Sequence, residues 1–501
     1  MSEATGHQGV LLDLLEDRAD EPALTAPEDG VALSYGRLAA VVDELAGQLA
    51  SHGVANGDRV ALALPPGPEF LELLLAITAL GAAAAPLNPA YGTSEFSFYL
   101  DDLQPRALLL PDGELEAARS AAQDDVTLID VTFAPGRPPE LSGKGGGPAA
   151  REAPSPDHVA LLLHTSGTTS RPKQVPLRHR NLLASAHAIA RHYALTPDDV
   201  SYCAMPLFHV HGLVASTLAP LAAGGTVVAP RRVGPGRFWS QLEQHGATWY
   251  SCSPTLHHMV LERAPVARPD GLHLRFARSC SSAMSPELAT RLEAYLEVPL
   301  LEAYGMTEAS HEMAANPLPP SQRVLGSVGV PTGAEIRIVD EHGVELADGA
   351  AGEVVIRGPG VMSGYLANDE ANAEAFRDGW FRTGDQGRFD GGYLMLVGRI
   401  KEIIIRGGEN ISPLEVEAAL LLHPAVSEAV VYGIRDEKYG QLVAAAVVPA
   451  AELTDEELIA HCRDQLAPFK IPSVVHMVDQ IPKTPTGKVQ RPRMPAHFGE
   501  E

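Results

Sequence analysis

An α/β fold with parallel-rich sheets flanked by helices is predicted for this chain on three observations. From Val60 onward, short apolar runs alternate with helical patterns. These runs are continuous rather than alternating, as expected of strands buried on both faces. After about residue 330 the pattern becomes β-rich, and the final section mixes helices and strands. The chain is accordingly expected to divide into a large N-terminal domain, residues 1–400, with the parallel-rich sheets plus a β-rich lobe, and a small α+β C-terminal domain, residues 401–501.

Taken in order, strands are predicted at VALAL (60–64), RALLL (106–110), VTLID (126–130) and VALLLH (159–164), with a helix from Glu69 to Leu80. The longest apolar stretch, Leu71 to Leu87, contains Gly81 and Pro86 and reads as a core helix running into a strand, not as a membrane span. Residues 133–157 are rich in Pro and Gly and are expected to form a surface linker between two lobes of the large domain. Beyond it come a helix at Asn181–His192, strands at 200–206, 226–229 and 274–277, and a helix at Leu213–Ala223. EIRIVD (335–340), EVVIRG (353–358) and YLMLVG (393–398) supply the β-rich lobe, and 425–433 and 442–448 are strands of the last section.

With 501 residues the chain is too long for one core, and 45% hydrophobic with 20% charged residues is ordinary for a globular enzyme. The formal charge of −25 argues against nucleic acid or anionic lipid as partners, which leaves small molecules held by local groups. Cys203, Cys252, Cys280 and Cys462 form no CxxC pair, so neither a zinc site nor a disulfide framework is expected, and a cytoplasmic setting fits. The acidic N-terminus lacks signal-peptide order, and the C-terminal HFGEE carries no peroxisomal or retention signal.

The segment Thr165-Ser166-Gly167-Thr168-Thr169-Ser170-Arg171-Pro172-Lys173 follows an apolar strand. A glycine admits close backbone approach to phosphate oxygens, the hydroxyls donate hydrogen bonds, and Lys173 offers a point charge. It lacks Walker spacing, and on its own residues it is equally a polar turn.

With its further motifs the chain resembles the adenylate-forming superfamily of acyl-CoA synthetases, luciferases and peptide-synthetase adenylation domains, over nearly its whole length. HTSGTTSRPK is similar to the family's phosphate loop, with Ser170 and Gln174 where glycines are commoner. The resemblance implies that Tyr304 and Gly305 flank adenine, that Thr307 touches the α-phosphate, and that Glu308 holds Mg²⁺. It implies a ribose clamp at Asp385 assisted by Arg399, further ATP contacts at Ser282 and Ala283, and a catalytic Lys488 in the PKTPTGK loop. It also implies a hinge at Lys401, about which the small domain is mobile between half-reactions, and a pantetheine approach at Gly407 and Gly408. ATP, Mg²⁺ and CoA are the expected cofactors and substrates of such an acid–thiol ligase.

Within the superfamily PLFHVHGL (206–213), ATWYSCSPT (247–255), RSCSSA (278–283), MTEASH (306–311) and NPLPP (316–320) resemble the oxalate–CoA ligases of plants and fungi. This places His211, Ser281, Ser282 and His311 around a small acid, with His209 as a gate to the thiol channel. Imidazole and hydroxyl donors suit a small dianion better than an alkyl chain. The plainer reading of His209 and His211, as core histidines, stays open at this point. So do a malonate ligase, which would need a basic side chain deeper in the pocket, and an ATP-dependent diazotase that activates nitrite.

Overall fold

The computed structural model describes residues 9–28, 30, 32–134, 136–143, 147–165, 172–483 and 489–500. Two large sheets carry most of it. A seven-stranded sheet runs Glu140–Ser142, Thr127–Thr132, Ala107–Pro111, Arg59–Leu62, Ala83–Pro86, Val159–His164, Gln174–Arg178. Its interior pairs are parallel and its two edge strands antiparallel. A nine-stranded sheet runs Val330–Pro331, His311–Ala315, Leu300–Met306, Phe276–Ser279, Trp249–Cys252, Val200–Cys203, Thr226–Val228, Pro22–Thr25, Ala32–Ser34. From Leu300–Met306 to Pro22–Thr25 every neighbouring pair is parallel. The helix Pro68–Ala79, buried along almost its whole length, lies in a core continuous between both sheets.

Two further five-stranded sheets follow. One is antiparallel and holds Glu335–Val339, Gly352–Arg357, Phe376–Arg377, Trp380–Asp390 and Tyr393–Arg399. The other begins at Ile404 and pairs Glu409–Ile411, Ile404–Arg406, Gly440–Pro449 and Val426–Asp436, with Val474–Met477 parallel beside Gly440–Pro449. It has its own apolar clusters. Among the described residues no helix is long and apolar enough to cross a membrane.

Two expectations need correction. The strands on either side of residues 133–157 belong to one sheet, so the segment does not separate lobes, and Glu140–Ser142 within it forms the sheet's edge strand. Its Pro and Gly content hid a three-residue strand that pairs with Thr127–Thr132 and packs Leu141 against the core. The helix expected at Leu213–Ala223 begins earlier, at His211, as a π-helical turn to Leu218 before an α-turn at Ala219–Ala222. The wider turn occurs where Gly212 crosses the preceding loop so closely that a Cβ would lie 2.5 Å from the Met205 carbonyl oxygen.

Candidate active site

The parallel strands Val200–Cys203, Trp249–Cys252, Phe276–Ser279 and Leu300–Met306 share one carboxyl-terminal side of the nine-stranded sheet, and the segments after the first, third and fourth bear candidate residues. Carboxyl ends of parallel strands are where α/β sheets bind ligands. Ser253 and Ser285 each cap the helix that follows and are succeeded by proline, which halts the strand and starts the helix within a few residues.

At the centre stands Arg278, fully buried with Glu312, both side chains 0% exposed and 2.8 Å apart. The register Ser251↔Arg278 puts Ser251 beside it, and Arg278 Nη1 donates to Ser251 Oγ at 2.9 Å. Its Nε donates to Tyr193 Oη at 3.1 Å, and Tyr193 in turn donates to Glu312 at 3.3 Å. His311 Nε2 lies 3.0 Å from Arg278 Nη2. Consecutive strand residues normally face opposite sides, yet His311 and Glu312 both reach Arg278. The reason is local: His311 has φ +114° and Ser310 φ +55°, so the alternation is broken where this strand begins.

His211 Nε2 is 2.7 Å from Ser251 Oγ, its Nδ1 is 2.8 Å from Ser281 Oγ, and its ring stacks on that of His311 at 5.2 Å. Burial, then the Arg278 charge, holds both imidazoles well below the usual histidine range, so both are neutral. Ser281 is exposed, with φ +80°, and Ser282 and Ala283 beside it are exposed as well. Gly305 packs against the His311 backbone so tightly that any Cβ would collide with its carbonyl oxygen.

Thr165 and Lys173 close the base of the phosphate-loop segment, with Thr165 N–H donating to the Lys173 carbonyl at 2.9 Å. Ser166, Gly167, Thr168 and Thr169 lie outside the described residues. Lys173 Nζ sits 4.7 Å from the centre of the Tyr365 ring, and the Tyr365 hydroxyl donates to Glu308 Oε1 at 2.9 Å. Gln174, where a glycine is commoner, donates to the Asp102 side chain at 2.7 Å. Glu308 is buried, which raises its carboxyl pKa, and Thr307 opens the same short turn. One carboxylate with phosphate oxygens and water is an ordinary Mg²⁺ environment, so Glu308 fits the ion although no cluster of three acidic, His or Cys side chains occurs among the described residues.

Asp385 Oδ1 pairs with Arg399 Nε at 2.7 Å across adjacent strands, and its Oδ2 accepts from the Tyr304 hydroxyl. His209, half-buried, packs on Phe208 in the loop before His211. Lys401 is exposed in the turn Ile400–Glu402. Gly407 and Gly408, with φ +60° and +90°, form the tight hairpin turn between Arg406 and Glu409. Lys488 lies outside the described residues; Lys483 and Val489 form a bridge, and Arg491 pairs with Glu402 at 3.2 Å and Glu417 at 2.9 Å.

Sequence reasoning named the pocket histidines and missed Arg278, Glu312, Ser251, Tyr193 and Tyr365. A charged residue inside an apolar run such as LRFARSC, with a lone acid in HEMAA, was the available signal. A basic side chain does therefore lie deeper in the pocket, but Glu312 neutralises it.

An AMP-binding enzyme family model matches residues 14–366, and the model of the C-terminal domain of AMP-binding enzymes matches 415–488. The chain belongs to this family. It is 44% identical to an oxalate–CoA ligase of Arabidopsis thaliana, covering 98% of each chain, and 42% identical to one of Saccharomyces cerevisiae, covering 94% of each. A sulfoacetate–CoA ligase of Cupriavidus necator is 39% identical over 95% of each chain. The ATP-bound crystal structure of MatB from Rhodopseudomonas palustris superposes with a TM-score of 0.89 at 30% identity, covering 98% of this chain and 99% of that one. The protein is thus an ATP-dependent, AMP-forming acid–CoA ligase using ATP, Mg²⁺ and CoA. The plant, yeast and Cupriavidus relatives are CoA ligases, which leaves the nitrite-activating alternative without support.

Proposed function

We propose that this ligase activates oxalate as its acyl-adenylate and transfers the oxalyl group to CoA. The observation that carries this reading is the buried pair His211 and His311, backed by Arg278 and Ser251 and joined to the exposed Ser281, polar throughout where a fatty acid would need an apolar tunnel. The identity to oxalate–CoA ligases over nearly full length supports it.

In the proposed chemistry the near carboxylate of oxalate attacks the α-phosphate and expels pyrophosphate, and the CoA thiol then displaces AMP; His311 and Ser281, the latter oriented by His211, hold the far carboxylate, with Ser282 and Ala283 beside the nucleotide. Two unit charges 4 Å apart repel by about 1 kcal/mol in water and about 4 kcal/mol at an effective dielectric of 20, so closing the site makes cations necessary. Lys173 and Lys488 are assigned that task, with Thr307 at the α-phosphate. Mg²⁺ held by Glu308 would further neutralise the phosphate oxygens. Tyr304 and Gly305 form the adenine side, and Asp385 with Arg399 takes the ribose hydroxyls. We place the domain boundary at Arg399–Lys401, with Lys401 as the hinge that exchanges the Lys488 loop for the Gly407–Gly408 hairpin and the thiol, and His209 at the thiol entrance. A reducing cytoplasm is the proposed compartment, supported by four free, buried cysteines.

A second reading, sulfoacetate, is favoured by the 39% identical relative and by a pocket that recognises a far anion. The deciding experiment is pyrophosphate release with oxalate, sulfoacetate, malonate, nitrite and octanoate, each with and without CoA. Oxalate is expected to give the highest kcat/KM. A preference for octanoate, or no release with any anion, would overturn the proposal.

A further inference from the structure

We propose that Arg278, acting directly and through Ser251, locks both pocket histidines in their Nδ1–H tautomers, so that the acid is met by two neutral donors, His311 Nδ1–H and the Ser281 hydroxyl that His211 orients, backed by a buried charge. Arg278 is thus a positioning residue. That the donors serve oxalate rests on the function proposed above; the tautomers do not.

The argument follows from the donor inventory. A guanidinium donates at every N–H and accepts at none. With Arg278 Nη2 3.0 Å away, His311 Nε2 must present a lone pair, and the ring proton is left on Nδ1. On the other side Arg278 Nη1 donates to Ser251 Oγ at 2.9 Å and lies 3.4 Å from His211 Nε2. A proton on that Nε2 would face the guanidinium N–H. Ser251 has one hydroxyl hydrogen, and with its oxygen already accepting from Arg278 it donates to His211 Nε2 at 2.7 Å. His211 Nδ1–H then donates to Ser281 Oγ at 2.8 Å.

The direction of each bond leaves the Ser281 hydroxyl hydrogen unspent, on an exposed residue whose positive φ turns it out at the end of its strand. His311 Nδ1 lies beside Gly305, where a Cβ would stand 3.1 Å from it, so glycine keeps that side of the ring open. Glu312, fully buried 2.8 Å from Arg278, balances the charge. An anionic acid is therefore met by aligned dipoles, and Arg278 acts through them rather than by contact.

The test uses full-length protein labelled with ¹⁵N-histidine and two-bond ¹H–¹⁵N correlation spectra at neutral pH, with His211→Gln and His311→Gln assigning the signals. Both rings are expected to be protonated at Nδ1 only; an Nε2–H or doubly protonated ring at either position overturns the proposal. Kinetics supply a second readout, because Ser251→Ala leaves Arg278 in place. Its KM for oxalate is expected to rise about tenfold, the scale of one lost hydrogen bond, with the KM for ATP unchanged and Ser251→Thr restoring the wild-type value. An unchanged oxalate KM in Ser251→Ala, or a matching rise in the KM for ATP, refutes the relay. If the acid screen selects another acid, that acid replaces oxalate in the kinetics, and the tautomer spectra, recorded without any acid, separate the two failures.

Discussion

The residues around Arg278 and the segment Ile400–Ile411 differ sharply in burial. Around Arg278 every named side chain except Ser281 is buried, and hydrogen bonds join them across three strands and the π-helical turn. In the second region Lys401, Gly407 and Gly408 are exposed, as are the large apolar side chains of Ile400 and Ile405. On the assignments proposed above, the contrast is a division of labour: recognition of the acid would belong to a buried, hydrogen-bonded set, and acyl transfer to an exposed turn and hairpin.

Four predictions probe this contrast. Lys488→Ala should lower adenylation by about 10²–10³-fold, the scale of one lost transition-state donor, measured as pyrophosphate release; full retention would remove the moving part from the chemistry. Gly305→Ala, on the rigid side, should lower it by about 10²-fold, because a displacement near 1 Å is enough, with the melting temperature recorded to separate unfolding from misplacement of His311. Lys401→Pro fixes φ in the turn and should slow thioester formation at least about tenfold more than pyrophosphate release; equal losses would deny the hinge its separate role. The smallest effect expected is none. Because their pKa values are depressed, His211 and His311 stay neutral as pH falls through the ordinary histidine range, so the KM for the acid should be flat between about pH 8 and 6. A KM that changes through that interval would mean that one ring titrates as if solvated.

Much of the scaffold was legible in the residues because its strands are buried on both faces and read as unbroken apolar runs, VALLLH at 159–164 being the strand Val159–His164. The π-helical turn at His211 was not, since it depends on Gly212 crossing the carbonyls of Met205 and Pro206. Glu140–Ser142 escaped because an edge strand of three residues has no periodicity to display. In the site, His211 and His311 were legible from local motifs, whereas Arg278 needed the register with Ser251, and Glu312 needed the broken alternation at His311. Both are long-range facts. Gln174 was conspicuous as a departure, but its partner Asp102 lies 72 positions away and no local pattern announces it.

The neutralisation of Arg278 by Glu312 has a consequence for which acids are turned away. On the donor set proposed above, the methyl group of acetate would leave the His311 Nδ1 hydrogen and the Ser281 hydroxyl hydrogen stranded without acceptors. Sites built around a hydrogen-bonding group discriminate against analogues lacking it by about 10⁴–10⁵-fold, far more than a missing methylene costs in an apolar slot. Rejection here would come from unmet valence rather than from bulk, and common monocarboxylates, however abundant, would be poor competitors.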